Sequence, residues 1–238
     1  MSSPNFSSPR GRRTTAIFTK RPVAGQVKTR LCPPLQPAQA ARLAEAMLRD
    51  MVERLASCES SHLALAYAPA DAKAWFAESF PELKDQRAQE GAGLAERMDH
   101  FFFVELTGTL DSSAVIVGSD APLLPVERIQ EAHDRLQAGA DLVLGPDAGG
   151  GYYLIGMTEV HKELFELVEM STDDMCAQTL QLAGRLGLKA ELLESLYDVD
   201  LGRDLDRLRE DLAALDPTSP NFPPRTAACL EQFSAEEA

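Results

Sequence analysis

The run Ala114-Val-Ile-Val117 limits what this chain can fold into more than any other stretch. Four apolar residues, three of them β-branched, lie between a polar approach and the turn Gly118-Ser-Asp120. They describe a strand buried on both faces and cut off sharply, as in a mostly parallel sheet covered by helices. Open α/β sheets bind ligands outside the carboxyl ends of their strands, so an acid placed there faces the crevice. Pro122 and Pro125 fix the backbone beyond it and start the next helix, which leaves Asp120 two roles: an acid facing the crevice, or a cap of that helix.

The rest of the chain alternates in the same way. Strands are expected at residues 14–20, 62–67, 140–146 and 152–156, with an edge strand over 188–196. Helices are expected at 36–57, 71–80, from the glycines at 91–93 through Phe103, at 126–138, from Ser171-Thr-Asp-Asp174 to Gly187, and after Asp200. In the first helix Leu43, Met47, Met51 and Leu55 recur every fourth residue between Arg42, Glu45, Arg49, Asp50, Glu53 and Arg54, an amphipathic pattern that lays one face on a sheet. The expected architecture is a three-layer α/β/α fold around a mostly parallel central sheet. Residues 1–13 read as a loose leader, 14–215 as the folded domain, and 216–238 as a Pro-rich extension with a short helix.

A chain of 238 residues with no internal repeat can bury one sizeable core. Its formal charge of -14 argues against nucleic acid as a partner, because phosphate backbones need concentrated Lys and Arg. Cys32, Cys58, Cys176 and Cys229 are scattered without a CxxC pair, which suits a reducing cytoplasm better than a zinc or disulfide framework. No apolar run approaches a membrane span, so no membrane association is expected, and nothing fixes an oligomeric state.

Against that acidic background, Lys20-Arg-Pro-Val-Ala-Gly25-Gln-Val-Lys28-Thr-Arg30 stands out directly after the first strand. Its backbone near Gly25 could approach a phosphate closely while Lys20, Lys28 and Arg30 neutralise it; the other reading is a solvated basic loop. It is neither a Walker A loop nor a dinucleotide fingerprint, whose glycines stand at other spacings. Arg97, one turn into its helix, could point back toward the same crevice. In Asp147-Ala-Gly149-Gly150-Gly151-Tyr152, consecutive glycines would let a ligand lie on the backbone with Tyr152 or Tyr153 beside it, or simply make a turn. Asp198 and Asp200, as alternate residues of an extended segment, can point toward one cation, or Asp200 can cap the helix that follows.

In this order, Lys20-x-Pro-x-x-Gly25-x-Val-Lys28-Thr-Arg30-Leu, Gly118-Ser-Asp120-x-Pro122, Gly145-Pro-x-x-x-Gly150-Gly-Tyr-Tyr and Asp198-Val-Asp200 resemble a bacterial family of nucleotide-diphospho-sugar transferase-like proteins. That family has a glycosyltransferase-A fold, includes arsenosugar-biosynthesis-type glycosyltransferases, and is similar to 2-phospholactate guanylyltransferase-like nucleotidyltransferases. The resemblance spans roughly residues 14–212. It implies that Lys20, Gly25, Lys28 and Arg30 cradle nucleotide phosphates, that Arg97 lies near the nucleotide, and that Asp120 holds a divalent metal. The chain departs from the family at Gly149, where members carry Asp before Gly-Gly-Tyr. Either Asp147 takes over that acid's catalytic part or the step is lost.

The expected activity is therefore transfer from a nucleoside-diphosphate sugar to a small acceptor, with Gly150, Gly151 and Tyr152 lining the donor or acceptor pocket. Mg2+ or Mn2+, held by Asp120 with Asp198 or Asp200, would neutralise the leaving diphosphate. Two alternatives stay open: nucleotidyl transfer from a nucleoside triphosphate, and nucleotide binding without turnover.

Overall fold

A computed structural model describes residues 11–58, 60–108 and 111–236. Of the expected leader, residues 1–10 lie outside the described residues. The elements follow in the order β1 (Arg13–Lys20), α1 (Pro37–Ala56), β2 (His62–Ala68), α2 (Lys73–Ser79), β3 (Gln86–Ala88), α3 (Leu94–Leu106), β4 (Ser113–Gly118), α4 (Val126–Gln137), β5 (Leu142–Pro146), β6 (Tyr152–Met157), α5 (Glu163–Glu166), α6 (Met175–Leu186), β7 (Ala190–Leu192), α7 (Gly202–Ala214) and α8 (Pro224–Glu236).

The strands form one seven-stranded sheet in the order β3-β2-β1-β4-β6-β5-β7, with β6 antiparallel to both of its neighbours and the other pairings parallel. Alternation along each strand builds two apolar layers. Ile17, Leu65, Val115, Val117 and Val143 meet α1, α2 and α4, while Ala16, Ala64, Ile116, Leu142, Leu144 and Ile155 meet α3, α5 and α6. Each large side chain removed from water, such as Phe76 or Phe102, contributes about 1.5–3 kcal/mol. This is the three-layer fold expected from the strand and helix pattern.

A third apolar cluster lies outside α1, where Leu31, Leu43 and Met47 pack with Leu205 and Leu208 of α7 and with Leu230 and Phe233 of α8. It changes the reading of the polar stripe on α1. Asp50 and Arg54 do not face solvent but are 4% and 6% exposed, because the C-terminal segment covers them. Asp50 accepts hydrogen bonds from Thr226 N (2.7 Å), Thr226 Oγ1 (2.8 Å) and Arg225 N (3.1 Å) at the start of α8. Arg54 donates to the carbonyls of Pro122 and Asn221, each at 2.8 Å.

The capping alternatives open for Asp120 and Asp200 do not hold. The N-cap of α4 is Pro125, with no side-chain cap, so Asp120 is not a cap of that helix. The start of α7 is held by Asp204, whose Oδ2 accepts from Leu201 N (2.7 Å) and Asp200 N (3.0 Å), which leaves the Asp200 carboxylate for other work. Before α6, Asp174 makes no side-chain cap bond either. Ser171 there holds a left-handed backbone (φ 62°).

Candidate active site

β2 lies on one side of β1 and β4 on the other, so the sheet switches direction between β1 and β4. A crevice opens at the carboxyl ends of strands at such a point. Here it is a cleft of about 670 Å³, lined from below by Phe18, Thr19, Gly118 and Ser119, from the first loop by Lys20, Lys28 and Arg30, and from the start of α3 by Gly93, Leu94 and Arg97. Asp120 and Asp200 close its acidic side.

Of the basic residues expected to form an anion cradle, Lys20, Lys28, Arg30 and Arg97 all reach the cleft, while Gly25 (φ 77°) shapes the exposed turn above it without lining it. Arg97 is oriented by its own Nε, which donates to the Gly91 carbonyl at 3.0 Å and leaves the terminal amino groups of the guanidinium for a ligand. Lys28 departs from the cradle expectation. Its Nζ lies 2.9 Å from Asp120 Oδ1 and 2.7 Å from Asp200 Oδ1, and its side chain is only 5% exposed. Burial works against its charge, yet the two carboxylates outweigh burial and hold the ammonium above its ordinary pKa. Arg30 stays 67% exposed and 3.7 Å from Asp200 Oδ2. Burial alone would raise the Asp200 carboxyl; Lys28 and then Arg30 bring it below the usual carboxylate range.

Main-chain bonds fix the acids. Val199 N donates to the Asp120 carbonyl at 2.9 Å, tying the 198–200 segment to the end of β4. Asp198, on the same segment, does not line the cleft; its carboxyl is pushed up to about 7 by burial first and then by the charges of Asp120 and Asp147. Asp120 and Asp198 offer the hard oxygen donors that Mg2+ and Mn2+ prefer, and one or two carboxylates suffice when substrate phosphates complete the shell. Among the described residues no three carboxylate, imidazole or thiol side chains are grouped so as to hold an ion by themselves.

The glycine-rich turn between β5 and β6 is not brought to this cleft. Gly150 (φ 90°) lies against the backbone of Asp173, where an added Cβ would come within 1.7 Å of the carbonyl oxygen. Gly151 is buried beside the Asp147 carboxylate and Met175. Tyr152 packs against the apolar layer on the α3, α5 and α6 side, and burial raises its hydroxyl pKa. These glycines serve close backbone packing, so the pocket role expected for Gly150, Gly151 and Tyr152 has no cleft contact behind it. Asp147, the expected catalytic acid, is engaged by its own turn: its Oδ1 accepts from Gly149 N (2.5 Å) and Gly151 N (3.1 Å).

The cleft also holds a residue that sequence reasoning missed. Gln89, just beyond β3, spends its amide hydrogens on the carbonyls of Ala66 (2.8 Å) and Thr19 (3.2 Å). Carbonyls cannot donate, so the amide orientation is fixed and Oε1 is left as an acceptor at the cleft wall. No local signal marks it, because its partners belong to β1 and β2.

Comparison with known proteins agrees with this fold. A structure from Desulfovibrio desulfuricans G20, described as that of a candidate nucleotide-diphospho-sugar transferase, is 30% identical, with 94% of this chain and 95% of that chain covered and a TM-score of 0.85. A cytidylyltransferase from Leptospira borgpetersenii serovar Hardjo-bovis (12% identity, 96% of each chain, TM-score 0.54) shares the fold. So does a CMP:2-keto-3-deoxy-manno-octonic acid synthetase complexed with CTP (9% identity, 85% of this chain and 99% of that chain, TM-score 0.53). No curated protein matched the sequence. A family model described as "Uncharacterized protein conserved in bacteria (DUF2064)" matches residues 51–172. Just over half of the sequence fits that model, and a 30% identical relative is covered almost end to end, so the chain belongs to this bacterial family, with the fold of nucleotide-diphospho-sugar transferases.

Proposed function

We propose that the chain is a divalent-metal-dependent glycosyltransferase that moves a sugar from a nucleoside diphosphate to a small acceptor. Its broader class, an enzyme of the nucleotidyl- or glycosyltransferase type, follows from the relative it matches over 94% of its length at 30% identity. The observation that carries the finer reading is the cleft, where Lys20, Arg30 and Arg97 stand across from Asp120 at the switch point of the sheet. Such a crevice pairs cations for a diphosphate with an acid that can carry an ion.

In this reading Lys20, Arg30 and Arg97 bind and orient the phosphates, and Gln89 offers its oxygen to a donor group on the nucleotide. Asp120 and Asp198 would hold Mg2+ or Mn2+, with Asp200 beside them; when bound, the ion neutralises charge on the departing diphosphate. The rigid attachment of Asp120 to Val199 keeps the two acids in register with the loop cations.

The reaction is tested by incubating the protein with a panel of nucleoside-diphosphate sugars and nucleoside triphosphates with Mg2+ or Mn2+. Nucleoside diphosphate release from a nucleotide sugar supports glycosyl transfer. Pyrophosphate release from a triphosphate would replace it with nucleotidyl transfer, and tight binding without either product would reduce the protein to a nucleotide-binding module. Asp120→Asn keeps the size and removes the charge. It should fold normally and lose the metal-dependent gain in nucleotide affinity on calorimetric titration; a variant that keeps the full gain refutes the role of Asp120.

A further inference from the structure

The basic loop does not present its cations equally. The Lys28 side chain is 5% exposed while that of Arg30 is 67% exposed, so the fold withdraws Lys28 from solvent and commits it to two acids. One ammonium lies 2.9 Å from Asp120 Oδ1 and 2.7 Å from Asp200 Oδ1. The acid side of this contact is fixed through main-chain bonds, from Val199 N to the Asp120 carbonyl and from Asp200 N and Leu201 N to Asp204 Oδ2. The lysine side is a loop closed by a turn bond from Gln26 N to the Val23 carbonyl. Residues 24–26 before it are exposed, and the loop is anchored at its start by the bond from Arg21 N to the Ala68 carbonyl and beyond Lys28 by the bond from Leu31 N to the Lys28 carbonyl and the buried Leu31 side chain. Lys28 itself holds a left-handed backbone (φ 49°), a conformation that L side chains adopt at a cost and that the ion pair helps to maintain.

A divalent ion on Asp120 would stand beside this ammonium. Repulsion between such close like charges in a partly desolvated site outweighs a single hydrogen bond, so both cannot be held by Asp120 at once. The Asp120 main chain is tied to Val199 at the sheet end, whereas a lysine on a flexible four-carbon stem can exchange partners. The phosphates of a nucleotide in the same cleft are the acceptors it would move to.

We propose that Lys28 is an internal counter-ion that competes with the divalent cation for Asp120 and passes to the donor phosphates when cation and nucleotide arrive together. The inference rests on the metal-dependent reading above. It makes the two ligands cooperative: each alone meets a site that Lys28 already occupies or fails to release, and each strengthens the other by the same factor.

Binding of Mn2+ alone, followed by loss of the free-ion electron paramagnetic resonance signal, tests the competition. Wild type is compared with Lys28→Gln, Lys28→Met and Lys28→Arg, each first checked for cooperative unfolding. The Gln and Met variants should bind Mn2+ about tenfold or more tightly than wild type, and the Arg variant, which keeps the charge, should stay weak. Calorimetric titration of UDP, GDP, CDP and ADP then gives the other half, because Mn2+ should improve nucleotide affinity less in Lys28→Gln than in wild type. Mn2+ affinity that stays unchanged or undetectable in both neutral variants overturns the proposal. Equal tightening in the Arg variant also overturns it, since loosening of the loop would then explain the gain. Should no nucleoside diphosphate bind wild type with Mn2+, the metal-dependent transferase reading fails, while the arm with Mn2+ alone still decides whether Lys28 and the ion compete.

Discussion

Asp198→Asn is expected to make the protein more stable at alkaline pH while impairing metal-dependent binding. The wild-type carboxyl is pushed from 3.8 up to about 7, by burial first and then by Asp120 and Asp147. At 1.36 kcal/mol per pH unit, full ionisation of such a group in the folded state costs at most about 4 kcal/mol, and local relaxation with water entry leaves about 2 kcal/mol. Because the folded pKa lies above the unfolded one, the stability that goes with the protonated acid is present in full below about pH 4 and lost as pH rises through about 7. The Asn variant has nothing to lose over that window. Its advantage should be absent below about pH 4, open between pH 4 and 7, and stay level above that. For a chain of this length, about 2 kcal/mol corresponds to a rise in Tm of about 4–8 °C. Urea unfolding at pH 5 and pH 8, followed by fluorescence of Trp75, the only tryptophan, measures both ends of the window. A variant less stable than wild type at pH 8, or one with the same difference at both pH values, would refute the reasoning. At pH 8 Mn2+ should raise the Tm of wild type and not that of the variant, since a ligand stabilises only the state that binds it.

Gly150→Ala should cost well over 2 kcal/mol, because it adds a clash with the Asp173 carbonyl to a positive φ, whereas Gly25→Ala, with open space around its Cβ, should cost only about 1 kcal/mol; thermal melts of the pair separate contact from backbone strain. The His133 imidazole is pushed down to about 3 by burial and then by Arg13, so stability present above its ordinary value of 6.5 is lost on acidification. About 2 kcal/mol should disappear between pH 6.5 and pH 5, and urea titrations of His133→Gln should lack that component. Arg54→Met leaves the Pro122 and Asn221 carbonyls without their donor and should lower stability by about 2–3 kcal/mol, read by the same titration.

What could be read along the chain was what alternation writes locally. Ala114–Val117, Thr14–Lys20 and Leu142–Leu144 carry apolar residues on both faces of the sheet, and each is a strand with helices on either side. β3 was missed because Gln86-Arg-Ala88 is short and half-buried, and it becomes a strand only by pairing with Leu65–Tyr67. The edge strand expected over 188–196 regularises only at Ala190–Leu192; beyond it the chain still follows β5 through Leu193 N to the Leu144 carbonyl and Leu196 N to the Pro146 carbonyl, without continuous pairing. The polar face of α1 was misread for a similar reason. Helical periodicity shows which residues differ from the apolar stripe, not that the C-terminal segment returns more than 160 positions later, Asn221 to Arg54 and the start of α8 to Asp50. In the site, residue types and strand ends placed Asp120, Lys20, Arg30 and Arg97 around one cleft, but the pairing of Lys28 with Asp200 spans 172 residues and leaves no local trace.

The same distinction explains Gly149, where the resemblance sets an Asp. A Cβ at Gly149 would stand 3.1 Å from Asp147 Oδ1, and that oxygen already accepts the Gly149 and Gly151 amides. An acid at 149 would thus face a second carboxylate across the turn, and like charges so close cannot both stay ionised without a cation between them. In this chain Asp147 closes the turn and acts on Asp198 across the end of the sheet. Gly149 thus spares the turn a second carboxylate beside Asp147, whose own charge already reaches Asp198 at the end of the sheet.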